Sequence, residues 1–367
     1  MVGLGPICVS IVARITGYKL KKLYLFFSFL FLSIFSALRF QTGQDWYAYE
    51  EFFNQLDTHR GLIEYFQNGS YSQLNFEFGF YLVNYFIKSL DGSYFHVLAF
   101  CSVVSGASIY LLYREMNDHI DFAVVSYIGY AYLLLGFAQA RQGLGLAFFI
   151  FALVLYLRKN RPIVHFFGIA LFGVAVQYSV AIYLIVAMIA YTITRFRMLG
   201  TICIAILFSV ALLLKNFNTN LFQIFMLFAF NDTIADKVNI YEAELSQGGI
   251  LNFFYSLFLL VNALYIYHSS GNETEFRVRF LLNLTAMALY LSFLIVFVIP
   301  GLYPLYSRVY ILASISLPVA FYFMCRRETT LTLNILFVMN YIALTISYFR
   351  LFYLLYDEYI PYQTWLF

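Results

Sequence analysis

Charge is scarce in this chain: Asp, Glu, Lys and Arg together make up 11% of its 367 residues, against about 25% in an ordinary soluble domain. So little charge cannot cover a water-facing surface, which excludes a soluble globular protein. The Lys and Arg residues form no long basic run and the formal net charge is +3, so the footprint expected of a nucleic-acid binder is missing. Cysteine is sparse as well. Cys8, Cys101, Cys203 and Cys325 sit in or beside separate apolar stretches with no C-x-x-C pair, which points to small buried side chains, not to a disulfide or a metal site. His59, His96, His119, His165 and His268 are dispersed along the chain, and none is assigned a ligand role. No internal repeat is evident, so the inverted-repeat signature of many secondary transporters is missing too.

What the chain has in excess is apolar and aromatic surface. Hydrophobic residues make up 62%, and 33 Tyr and 43 Phe bring the aromatic share to 21%. Tyr in such numbers is easiest to place where an amphipathic ring meets water, at a membrane interface or in a wet cavity. Eleven segments are long enough to span or nearly span a bilayer: 22–40, 94–113, 122–138, 142–157, 163–176, 179–194, 199–214, 250–268, 280–299, 309–324 and 331–349. Several fall short of the ~20 residues of a standard crossing, which implies tilt, local thinning or burial in the bundle. Separate apolar segments can satisfy their backbone in lipid only as helices. The expected fold is therefore all-α: a single integral membrane domain over 1–367 with about eleven transmembrane helices. Residues 2–13 read as a short or incomplete first membrane element and not as a removable signal peptide, because Arg14 interrupts them and no small-residue cleavage site follows.

Basic clusters set the orientation. Lys19, Lys21 and Lys22; Arg158, Lys159 and Arg161; Arg195 and Arg197; Arg277 and Arg279; and Arg326 and Arg327 all fall on one side if the segments alternate, and the positive-inside rule makes that side cytoplasmic. A full crossing at 77–90 would break the pattern, so this stretch is expected to be a short re-entrant or interfacial helix. Two external loops, 41–76 and 215–249, are long enough to act as lids or binding elements. With Arg14 and Arg114 counted on the cytoplasmic side, eight of the 22 Lys and Arg residues remain outside: Arg39, Arg60, Lys88, Arg141, Lys215, Lys237, Arg308 and Arg350. Arg39, Arg141 and Arg308 stand at or beside the ends of apolar segments and are expected to face a common external cavity. Charge is costly there and by default marks a functional site. Guanidinium matches phosphate and carboxylate oxygens, so an anionic substrate is expected.

The remaining polar chemistry gathers at the same ends. After the first helix the chain reads LRFQTGQDWYAYEEF, with Arg39, Asp45 and Tyr49, the last two aligned if the stretch is helical. NFEFGFYLVN puts Glu77 at the entrance of the short helix. AQARQGLGLAFF puts Arg141 and Gln142 at a helix start, followed by small residues suited to close packing. GVAVQYSVAIY is a tight hairpin presenting Gln177, Tyr178 and Ser179, and YPLYSRVYIL offers Arg308 and Tyr310. Structural readings stand beside the functional ones. Arg39 also fits a snorkelling side chain, and Arg308 an external anchor or a partner for Glu242. Asp45 and Glu77 also fit as partners of the arginines, and Gln177 and Ser179 as turn residues satisfying backbone groups. Arg141 resists such a reading most, because its charge opposes the positive end of the helix it begins.

The ordered set RFQTGQDWYAY, FEFGFYLVN, ARQGLGLA, QYSVAIY, SRVY and a terminal PYQ resembles the EpsG-type polysaccharide polymerases, the O-antigen and exopolysaccharide polymerases often called Wzy. The resemblance implies a multi-pass glycosyltransferase of the bacterial inner membrane with its active site facing the periplasm or exterior. It also implies undecaprenyl-pyrophosphate-linked oligosaccharide as substrate, membrane lipid as surroundings, a chain-length regulator protein as a candidate partner, and no cofactor or metal. The absence of a D-x-D pair agrees with this. On this reading Arg141, Arg308 and Arg39 bind the diphosphate, and Asp45 or Glu77 orients or deprotonates the acceptor hydroxyl. Gln142, Tyr49, Gln177, Tyr178, Ser179 and Tyr310 contact substrate. Two departures from the family pattern matter. Glu77, Phe78, Gly79 and Phe80 stand where many relatives have Glu-Pro-Gly-Phe, and Gln177 stands where relatives commonly have a His. A neutral amide is no base near neutral pH, so no proton-transfer role passes to Gln177. An O-antigen ligase, or a flippase or transporter for the lipid-linked unit, are the competing readings.

Overall fold

The computed structural model describes residues 18–43, 45–58, 76–114, 116, 120–158, 162–198, 200–202, 204–206, 209, 250–298, 303–327, 330–354 and 363–364. The expected loop 215–249, most of 199–214, the end of loop 41–76 and the first apolar element at 2–13 lie outside these residues. In the described residues the chain is helical apart from one two-residue ladder, as an all-α polytopic membrane protein should be. The helices are α1 (Tyr18–Ala37), α2 (Trp46–Gln55), α3 (Phe78–Ser89), α4 (Tyr94–Tyr113), α5 (Ile120–Ser126), α6 (Ala140–Arg158), α7 (Ile163–Val176), α8 (Val180–Arg195), α9 (Ile250–Ser270), α10 (Phe276–Val298), α11 (Tyr303–Arg327) and α12 (Leu331–Leu354). A π-helical stretch, Tyr127–Ala138, continues α5 toward α6. Strands β1 (Arg39–Phe40) and β2 (Gln363–Thr364) pair antiparallel, with Arg39 opposite Thr364 and Phe40 opposite Gln363. The last residue of the terminal PYQ motif is thereby joined to the first motif of the chain.

Among the described residues five helices are long and apolar enough to cross a membrane: Tyr94–Tyr113, Ala140–Arg158, Phe276–Phe297, Leu305–Arg327 and Leu331–Phe349. Four shorter apolar helices, Lys22–Ala37, Ile120–Leu135, Ile163–Val176 and Val180–Arg195, accompany them. Along α12 the exposed side chains Leu331, Ile335, Val338, Ile342, Ile346 and Phe349 recur at helical spacing and form one outward apolar stripe. Such a stripe suits lipid. Cys101 and Cys325 are free thiols.

The chain divides into two compact units, Met1–Leu184 with Cys325–Phe367, and Ile185–Met324. In the first, α4 packs on α1 and α6, α6 packs on α7, and the π-helical stretch packs on α12. Two close approaches need glycine. A Cβ on Gly173 would come within 2.5 Å of the Gly145 carbonyl oxygen, and one on Gly79 would come within 2.8 Å of the Ala175 backbone. The first lets α6 and α7 touch backbone to backbone. The second seats the start of α3 on the end of α7, and so carries Glu77 to the α7–α8 hairpin. In the second unit α9 packs on α10. A buried polar chain there runs from Ser270 Oγ to Asn283 Oδ1 (2.7 Å) and from Asn283 Nδ2 to Thr194 Oγ1 (2.9 Å), which satisfies amide groups that would be expensive to bury alone.

Candidate functional site

The aromatic, acidic segment after the first helix folds as α2 and buries Trp46, Tyr49, Phe52 and Phe53. Asp45 occupies the N-cap position, but its side chain makes no cap bond. Its Oδ2 instead accepts a hydrogen bond of 2.9 Å from the Tyr49 hydroxyl, the alignment that a four-residue helical spacing allows. One turn on, Trp46 Nε1 donates to Glu50 Oε2 at 3.1 Å. Burial raises the Tyr49 phenol well above its ordinary value, while Arg141 beside it opposes the shift. Tyr49 therefore stays a protonated donor. At the other end of α2, Lys88 Nζ donates to the carbonyl oxygens of Phe53 (2.7 Å) and Asn54 (2.8 Å). A lysine there satisfies open carbonyls and complements the negative helix end, and it ties α3 to α2.

Arg141 is the second residue of α6. The π-helical stretch before it ends where the Gln139 N–H bonds the Leu134 carbonyl at 2.7 Å, a five-residue step that departs from the α pattern. After this break α6 begins, and Arg141 stands in its first turn. The guanidinium is cradled by two rings, its carbon lying 4.9 Å from the Phe76 centroid and 5.6 Å from that of Tyr49. Its Nη1 bonds Glu77 Oε2 at 2.5 Å. The other carboxylate oxygen, Glu77 Oε1, accepts from the Tyr178 backbone N–H at 3.2 Å. Four segments thus meet through one charge pair: the start of α2, Phe76 and Glu77 just before α3, the start of α6, and the α7–α8 hairpin. A cation at a helix N-terminus is disfavoured by the helix dipole, and Glu77 compensates that misfit.

Several buried polar atoms around the pair have no hydrogen-bond partner among the described residues: Arg141 Nε, Gln177 Oε1 and Ser179 Oγ. Gln177 and Ser179 are 8% and 7% exposed, whereas Tyr178 between them is 63% exposed. Gln142 turns the other way. It is buried, and its Nε2 donates to the Tyr183 hydroxyl at 3.0 Å, so it braces α6 against α8. Arg39 is 1% exposed and lies within electrostatic reach of Tyr94 and Cys101, beneath the cluster in which Trp46 meets Tyr94 edge to face at 5.0 Å.

Asp45, Tyr49, Glu77, Arg141 and Tyr178 are thus connected by contacts, with Gln177 and Ser179 alongside, and Arg39 and Gln142 belong to the same unit. Arg308 and Tyr310 belong to the second unit. There Arg308 is half-buried, and Tyr310 stacks on Tyr306 at 5.5 Å, whose hydroxyl meets that of Tyr255 at 2.7 Å. On sequence grounds Lys88 reads as a plain loop charge, and Tyr183 and Phe76 do not stand out. For Lys88 the available signal is a lone cation near the end of an otherwise uncharged short helix. Arg60, Lys215 and Lys237 lie outside the described residues.

A multi-pass helical membrane protein with an arginine set into an aromatic and acidic cradle at a helix start is the class defined by these features. The model of the EpsG family matches residues 22–364, and the chain belongs to that family. No curated protein and no solved structure matches it. Family membership points to a polysaccharide polymerase type of function, and with it to a membrane-embedded, glycosyltransferase-like protein.

Proposed function

We propose that the protein polymerises lipid-linked oligosaccharide repeat units at the outer face of the bacterial inner membrane. The growing glycan leaves undecaprenyl pyrophosphate and joins the non-reducing end of a second lipid-linked unit. The acceptor hydroxyl oxygen forms a bond to the anomeric carbon as the bond from that carbon to the diphosphate breaks, and the electron pair leaves on the diphosphate. Negative charge grows there, and a fixed cation stabilises the transition state more than the ground state. Arg141 is the residue for that task, with Arg39 of the same unit as a further diphosphate ligand. Asp45 or Glu77 takes the acceptor proton or orients the hydroxyl, and Gln177, Tyr178 and Ser179 contact sugar. Tyr49 holds Asp45 and flanks Arg141. The buried Gln142 acts as a support through Tyr183.

The observation that carries this reading is the Arg141 guanidinium, held by Glu77, Tyr49 and Phe76, whose own Nε, like Gln177 Oε1 and Ser179 Oγ, is buried without a partner among the described residues. Sugar hydroxyls and phosphate oxygens supply the missing partners. The test is sugar analysis of a deletion strain: a single repeat unit capping the lipid core is expected, whereas complete absence of repeat units would point to a ligase or flippase.

A further inference from the structure

Of the two oxygens on Glu77, one is tethered and one is covered. Oε1 is held by the Tyr178 backbone N–H, and Oε2 is taken by Arg141 Nη1. The tether lies on the hairpin and not on α6, so the carboxylate stays in place if the guanidinium moves. Arg141 is held differently. It gives Glu77 one nitrogen, its Nε is buried without a partner, and its faces rest on Phe76 and Tyr49, contacts across which a planar group can slide. A guanidinium is built to bind two oxygens at once, and a diphosphate offers that geometry where a single carboxylate oxygen does not.

We infer that Arg141 and Glu77 are an exchangeable pair: the donor diphosphate takes the guanidinium from Glu77, and the uncovered carboxylate oxygen then receives the acceptor hydroxyl. The inference rests on the polymerase reading above and adds an order to it. Before the exchange, Oε2 is engaged by the guanidinium. After it, Oε2 is released on a carboxylate that stays tethered to the Tyr178 backbone, and the chain neighbours of Tyr178 carry Gln177 Oε1 and Ser179 Oγ, both buried and without a hydrogen-bond partner among the described residues. These three oxygens form an acceptor subsite suited to adjacent hydroxyls of a hexose. The acceptor proton then passes to Glu77, its oxygen bonds the anomeric carbon, and the diphosphate departs with the electron pair. Donor must bind first, so the base for an acceptor hydroxyl is exposed only when a donor diphosphate is in place.

The experiment uses the purified full chain in lipid nanodiscs, with inorganic pyrophosphate as the probe. Glu77→Gln removes the internal competitor for Arg141, so pyrophosphate is expected to bind roughly tenfold more tightly than to wild type, while glycan elongation falls. Equal or weaker binding to Glu77→Gln overturns the exchange. Arg141→Ala should lose pyrophosphate binding, and unchanged binding there contradicts the underlying polymerase site itself, so the two failures are distinct. A second measurement on wild type needs no variant: carbodiimide labelling of Glu77, read by peptide mass spectrometry, should rise severalfold when pyrophosphate is added, with Glu50 and Glu51 unchanged. Constant or reduced labelling of Glu77 overturns the proposal.

Discussion

Arg141 combines three features that seldom coincide in one side chain: a position in the first turn of a helix, two aromatic faces against its plane, and a single carboxylate partner. Each restricts the guanidinium without saturating it, since Nε keeps no partner. Tyr49 serves the same restraint from α2 by donating to Asp45 while lying against Arg141. Its phenol is raised by burial from an ordinary value of 10.0, and the sign of the linkage follows. The unfolded chain ionises first, so the stability contributed by the neutral phenol is complete below the unfolded value and is lost as pH climbs toward the higher folded one. Tyr49→Phe is therefore expected to make the alkaline loss of thermal stability shallower by one phenol, measured by melts in detergent from about pH 9 to 11. An unchanged alkaline slope would mean that this hydroxyl is not buried in solution.

At the scale of elements, the site depends on where backbones can touch. Gly79 lets α3 begin against the end of α7, two residues after Glu77 and close to the hairpin where Glu77 meets the Tyr178 N–H. Gly79→Ala should push α3 outward, destabilise the protein by about 1–3 kcal/mol through overpacking, and cut elongation with it. Gly168, also helical and with open space within 4 Å of where a Cβ would stand, is the internal control. Gly168→Ala should leave activity intact and raise stability by up to about 1 kcal/mol through helix propensity. Paired melts and glycan gels of the two variants check both, and equal behaviour would refute the role given to the α3–α7 contact. The short helix at 77–90 was legible in the sequence, because basic clusters on both sides of it permitted no extra crossing. The π-helical geometry of Tyr127–Ala138 was not. In the uniformly apolar run YIGYAYLLLGFA no polar residue marks a face, so periods near 3.6 and 4.4 residues look alike.

At the scale of the molecule, composition sufficed for the membrane class, since 11% charge and 62% apolar residues leave too little polar surface for water, and the separate long apolar segments made it all-α. The motif order carried the family, and the expectation that Asp45, Glu77, Arg141 and the Gln177 hairpin gather at one end came from alternating the segments. Which carboxylate meets which arginine was beyond the sequence. Glu77 and Arg141 are 64 positions apart, and a pairing across that distance depends on how α3, α6 and α7 pack, not on any local pattern. The orientation is itself testable: single cysteines at 60, 215 and 350 should label from outside and those at 160, 196 and 327 from the cytoplasm. A position from one group labelling with the other would break the assignment of sides on which the external site depends.

The central claim is that Arg141 stabilises the departing diphosphate during chain growth. Its most direct test compares purified wild type with Arg141→Ala on synthetic lipid-linked repeat units, with both proteins matched for amount and thermal stability. Removing one preorganised donor for a growing negative charge typically costs about 10²–10³ in rate, so the variant should fail to build the ladder that wild type builds. A full ladder from Arg141→Ala at the wild-type rate would contradict the account.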